Sequence, residues 1–176
     1  RSNLRPIRDT AIWICLLVAS GFLLITSWFS WWSLPLMILY GALYGGAADS
    51  RWHECGHCTA FKSSALNTGV YYLASFLLWR EPTVWKWSHY RHHSDTIIVG
   101  RDPEIAFPRP TRLKEFPLLF SHLVNGLKLI QRICIHASGK IDTQVKDYVP
   151  EEEHRKVVWE ARAFTLILAI SATAAI

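Results

Sequence analysis

TAIWICLLVASGFLLITSWFSWWSLPLMILYGALYGGAA, residues 10–48, contains no charged side chain. A helix needs about 20 apolar residues to cross a hydrocarbon core. The 39 uncharged residues therefore predict two short crossings, 10–29 and 34–48, joined by a tight turn. Ser30, Ser33 and Pro35 suit the turn, and Trp28, Trp31 and Trp32 beside it resemble an aromatic belt at a membrane interface. Gly41, Ala42, Gly45 and Gly46 give the second span a small-residue face suited to close helix packing. A cleaved signal peptide does not match, because the stretch is too long and lacks a small-residue cleavage pattern. A buried hairpin of a soluble protein would need a large partner core, which the rest of the chain does not offer.

Charge flanks this stretch on both sides. Arg1, Arg5 and Arg8 precede it, and Arg51, Lys62, Arg80, Lys86, Arg91 and Arg101 follow it. The connection between the spans carries none. The net charge of +5 thus reads as an orientation signal rather than a nucleic-acid footprint. The positive-inside rule places the N-terminus and residues 49–162 on the cytoplasmic side. The four cysteines, Cys15, Cys55, Cys58 and Cys134, do not form a disulfide framework there. Cys55-Gly56-His57-Cys58 has C-x-x-C spacing without the βαβ pattern of a redox pair, so its cysteines read as incidental.

Outward from the hairpin, the second span is expected to continue as helix through 49–61. Residues 67–79 are apolar but too few to cross, which predicts an interfacial or re-entrant helix. Pro82 suits the start of a helix over 83–96. Residues 101–110 read as loop. Residues 116–135 have the period of an amphipathic interfacial helix, and 139–153 read as charged linker. The apolar run 163–176 is too short to span and is read as a third crossing interrupted by truncation; the sequence also lacks an initial Met. The expected fold is all-α and integral to the membrane, multi-pass, in three parts. Residues 10–48 form a transmembrane hairpin, 49–160 a cytoplasmic and interfacial helical cap, and 161–176 the start of a second hairpin.

Five of the eight histidines fall in two clusters, each directly after an apolar segment. His53 and His57 are spaced i, i+4. His89, His92 and His93 are spaced i, i+3, i+4. Either spacing puts the rings on one helix face. Imidazole suits iron, zinc and copper, so the two faces predict a polyhistidine metal site. Asp49, one turn before His53, is a candidate to accept a hydrogen bond from a ligand ring; Glu54 and Asp95 are further candidates beside the clusters. The alternatives are a charged helix end for Asp49, a solvated face for Glu54 and a helix cap for Asp95. His-Glu-x-x-His is also the zincin signature, with Glu54 as general base. An intramembrane zinc protease is therefore a rival reading, but it leaves the second cluster unexplained. His122 reads as interfacial, and His136 and His154 as solvated. Trp85 and Trp87 read as membrane anchors. Arg101, Asp102 and Glu104 read as solvated loop or a donor-docking patch, and Arg109, Arg112 and Lys114 as headgroup contacts.

His53-Glu54-Cys55-Gly56-His57, followed by Thr59-Ala60-Phe61, resembles the first histidine box of membrane fatty acid desaturases, especially the acyl-lipid Δ12/ω-3 group. Trp87-Ser88-His89-Tyr90-Arg91-His92-His93-Ser94-Asp95-Thr96 resembles their second box. Gly100-Arg101-Asp102-Pro103-Glu104 resembles the polar segment after it. The likeness covers 10–110, while the family's third box does not occur in this sequence. The resemblance implies two iron ions ligated by His53, His57, His89, His92 and His93, and O₂-dependent formation of a double bond in a fatty acyl chain. The substrate would be carried as acyl lipid, acyl-CoA or acyl-carrier protein. Electrons would come from ferredoxin or a cytochrome b5-type protein. An alkane or acyl hydroxylase is a close variant, and an inactive membrane fragment is a non-catalytic alternative.

Overall fold

The computed structural model describes residues 2–105, 110, 112–115, 117 and 123–174. Among these residues the regular structure is helical throughout, with no strand. Residues 1–79 and 80–176 form two compact units, each described by itself.

The first unit opens with α1, Leu4–Thr26. Pro6 lies in its first turn, where no intrahelical N–H bond is lost. Asn3 does not cap it. The Asn3 side chain instead accepts from the N–H groups of Lys62 and Ser63, at 2.7 and 3.2 Å. α1 is long and apolar enough to cross a membrane, and it turns Ile12, Leu16, Val18, Phe22 and Ile25 outward. The connecting turn converges on one carbonyl. Ser27 O accepts from Ser30 N, Ser30 Oγ and Ser33 Oγ at 3.0, 2.6 and 2.7 Å. Trp28, Trp31 and Trp32, with Phe29, are exposed at this turn.

The second apolar segment is α2, Ser33–Gly41, followed by a π-helical turn, Ala42–Ala47, and α3, Ala48–Gly56. The Trp13 indole of α1 donates to Leu43 O within the π turn at 2.9 Å. The close approach of α1 and α2 is at Gly21, where an added Cβ would lie 3.0 Å from the Tyr40 ring. The approach is not made at Gly41, Gly45 or Gly46 of the expected small-residue face. Among the described residues, nothing lies within 4 Å of a Cβ built at any of the three.

The helix expected to run to residue 61 stops at Gly56. Cys58 adopts φ 55°, Cys58 N bonds to Cys55 O and Thr59 N to Glu54 O, both at 3.0 Å. This is the Schellman pattern, which satisfies the last carbonyls and ends the helix. The chain then turns into α4, Ser64–Leu77, capped by Ser63 Oγ accepting from Leu66 N. Buried Asn67 shapes the connection by bonding both Phe61 N and Phe61 O, at 3.0 and 2.9 Å. α3 packs on α4 through Trp52 stacked on Tyr71, with ring centroids 6.0 Å apart.

The second unit begins with α5, Pro82–Asp95, which has proline at its first turn. Its other main helices are α6, Leu123–Ala137, and α8, His154–Ala174. α8 exposes Leu166, Ile167 and Ile170. The expected linker 139–153 is not a linker. It holds α7, Thr143–Lys146, and a 3-10 turn, Glu151–Glu153, and places Val145 and Val149 in a core with Val84 and Val157. The Ile141, Val145, Val149 spacing outweighs the surrounding charge. Trp85 and Trp87 pack against this same core, which corrects their reading as membrane anchors.

Two buried carboxylates hold the start of α5. Glu160 of α8 accepts from Thr83 N and Thr83 Oγ1 at 2.8 and 2.9 Å. Glu81 is fully buried beside His136, whose Nδ1 lies 2.6 Å from Glu81 Oε1. The solvated reading of His136 is thereby overturned. His154 is half-buried and bonds Val149 O at 3.1 Å. His122 and Arg109 lie outside the described residues.

Candidate metal centre

In the first unit, His53 sits in the last turn of α3 and His57 is the residue at which the helix ends. Their rings lie on one face, as the i, i+4 spacing requires, with centroids 4.7 Å apart and planes at 68°. Both are exposed. Asp49 lies in the first turn of α3. Glu54 is half-buried and faces Arg51 at 3.4 Å.

Cys55 and Cys58 are both free thiols, the first buried and the second exposed. Burial pushes the Cys55 thiol up to about 11, against the lowering influence of Arg51. A thiol held protonated is a poor nucleophile and a poor metal ligand. Mild alkylation at pH near 8 is therefore expected to modify Cys58 and spare Cys55. Mass spectrometry of the chain after iodoacetamide checks this, and equal labelling of the two would contradict it.

In the second unit, α5 presents His89, His92 and His93 in its last two turns. His89 Nε2 and His93 Nε2 lie 3.1 Å apart. Imidazole nitrogens sit about 2.0–2.1 Å from a metal such as zinc. Two neighbouring ligands on one ion are then about 3.0–3.4 Å apart, and this pair fits that edge. His92 lies 5.9 Å from His89, ring centroid to centroid.

Beyond Asp95 the chain reverses through Ile97 and Gly100, at φ 68° and 83°. This reversal brings two acidic side chains back onto α5. His92 Nδ1 lies 3.0 Å from both oxygens of Asp102. His89 Nδ1 lies 3.1 Å from Glu104 Oε2. Asp102 is also gripped by the main chain. Ile97 N and Glu104 N each donate to it at 2.9 Å, one to each oxygen. Burial pushes the Asp102 carboxyl up, but the hydrogen bonds from Ile97, Glu104 and His92 outweigh it and hold the group below its ordinary value.

Asp95, expected beside the cluster, instead bonds Arg91 and faces Arg101 at 3.2 Å. Asp102 and Glu104, read from the sequence as solvated, are the carboxylates that meet the imidazoles. Arg112 faces Glu115 at 3.2 Å.

The second unit thus brings three imidazoles together with two carboxylates, donor types that iron and zinc accept. The family model for fatty acid desaturase matches residues 26–176. A curated relative, the acyl-lipid (9+3)-(E)-desaturase of Dimorphotheca sinuata, is 32% identical over 84 residues, covering 48% of this chain and 20% of that protein. The chain therefore covers about a fifth of the length of the curated relative it matches. No solved structure gives a match. With the family model extending over most of its length and including both histidine clusters, the chain belongs to the fatty acid desaturase family.

Proposed function

We propose that this chain carries the first two histidine boxes of a membrane di-iron desaturase. His53, His57, His89, His92 and His93 would supply ligands to the two irons. The observation that carries the reading is the second box, where two Nε2 atoms lie 3.1 Å apart and two Nδ1 atoms meet carboxylates. Iron bound there would supply the O₂-derived oxidant needed to break an unactivated acyl C–H bond. The overall change removes two hydrogens from adjacent carbons and reduces O₂ to two waters. The two further electrons come from a donor such as ferredoxin or a cytochrome b5-type protein, and two protons from solvent.

The substrate is a fatty acyl chain on a lipid, CoA or carrier protein. The chain's own contribution is to hold imidazoles at fixed positions. A multi-pass arrangement with the boxes on the cytoplasmic side is supported by the basic residues flanking 10–48. The outward-facing apolar residues of α1 and α8 support membrane contact.

Replacing His92 with alanine in the full-length protein is expected to lower bound iron and to reduce double-bond product at least about 100-fold, the upper end for loss of a metal-supporting group. Metal analysis and fatty acid profiling of expressing cells read both. Undiminished product would remove His92 from the ligand set. A hydroxylated product would shift the reading to the hydroxylase variant, and a single zinc in place of iron would favour the protease.

A further inference from the structure

We infer that Asp102 and Glu104 are positioning residues, which hold His92 and His89 in the tautomer that carries its proton on Nδ1 and leaves the Nε2 lone pair free for a metal. The inference rests on the metal-centre reading above and assigns it two residues outside the histidine boxes.

A neutral imidazole has one N–H and one lone pair, and its neighbours decide which nitrogen holds the proton. An ionised carboxylate only accepts hydrogen bonds. The ring nitrogen facing one must therefore be the donor. For His92 that nitrogen is Nδ1, 3.0 Å from Asp102; for His89 it is Nδ1, 3.1 Å from Glu104. His89 Nε2 then carries the lone pair and is the nitrogen that lies 3.1 Å from His93 Nε2. One set of contacts thus settles both the tautomer and the direction of the lone pair.

The two carboxylates are anchored differently. The Asp102 side chain is 2% exposed, and each oxygen also accepts a main-chain N–H, from Glu104 and from Ile97. It cannot turn without releasing one of them. Glu104 accepts from His89 on Oε2 and from Ser88 Oγ on Oε1, at 3.3 Å. Its carboxylate holds no main-chain amide in these contacts, and Ser88 Oγ can accept as well as donate. Glutamine at 104 can therefore face its oxygen to His89 and its NH₂ to Ser88. Asparagine at 102 has no such option. Its NH₂ faces a main-chain N–H in either orientation, so one of these anchors is lost, and alanine at 102 removes the acceptor of the His92 ring altogether.

The test uses the full-length protein labelled with ¹⁵N-histidine, purified in detergent without metal, at about pH 9, where a histidine of ordinary pKa is neutral. The wild type should show Nδ1–H signals for His89 and His92, and D102A should show Nε2–H for His92. Fe²⁺ titration of the same samples should show binding weakened about 10–100-fold in E104A and in D102A, the range for lost partners of metal-bound histidine. E104Q should return binding to near the wild-type value, with unchanged helical content by circular dichroism in both Glu104 variants. Nε2–H signals in the wild type would overturn the inference. So would E104A binding Fe²⁺ as the wild type does. Absence of Fe²⁺ binding by a wild type with Nδ1–H rings would instead bring down the metal-centre reading, since the ring protons are read without metal.

Discussion

Replacing Glu81 with alanine is expected to destabilise the second unit by about 3–5 kcal/mol, the usual cost of removing one partner from a buried ion pair. Glu81 is fully buried and lies 2.6 Å from His136 Nδ1, and its other oxygen faces Arg132 Nε at 3.5 Å. Without the carboxylate, the Arg132 guanidinium still cannot lose its charge. Arg132 is already largely enclosed, 23% exposed, and stands over the Trp85 ring at 5.9 Å. It would be left as an unmatched cation beside the valine core. Glutamine should cost less than alanine, because it retains an acceptor for His136. Chemical unfolding of the full chain in detergent, followed by circular dichroism, measures the difference. A loss below about 1 kcal/mol, the level of a surface pair, would show that the cluster contributes little. The position matters as well as the energy, because Glu81 immediately precedes the helix that carries His89, His92 and His93.

The second large effect is expected at Glu160. Its carboxylate reaches from α8 to accept from Thr83 N and Thr83 Oγ1. The first N–H groups of a helix have no partner within it, and here one is satisfied by a side chain 77 residues away. Alanine at 160 should cost about 3 kcal/mol, since hydrogen bonds to a charged acceptor are each worth about 1.5–3 kcal/mol and part of the loss is recovered by relaxation. A double-mutant cycle with Thr83→Val isolates the hydroxyl part. Additive effects in that cycle would mean that the Thr83 hydroxyl and Glu160 do not act together.

Much of the architecture was legible because it depends on local pattern. The uncharged stretch located α1 and α2, Pro82 marked the start of α5, and histidine spacing put each cluster on one helix face. What escaped depends on side chains that meet only after folding. His136 looks solvated until Glu81, 55 positions earlier, is brought against it. Asp102 and Glu104 look like loop charges because nothing in their spacing from His92 and His89 shows the reversal at Ile97 and Gly100. The end of α3 was misplaced for a related reason, since Cys58 is an unusual residue at positive φ. One missed element did carry a signal. Ile141, Val145 and Val149 recur every four residues, and the charges between them hid a buried face.

The π turn at Ala42–Ala47 sets the rotational phase of everything that follows it on the same helical rod. Such a turn accommodates one residue more than regular winding would, and each residue of an α-helix advances by about 100°. Rewinding the same residues as regular α-helix would swing His53, His57 and Trp52 about a quarter of a circle around the rod. Trp52 would leave the Tyr71 ring, and the first pair of imidazoles would address a different direction. The extra residue in a turn that ends six positions before His53 thus determines where the first box points.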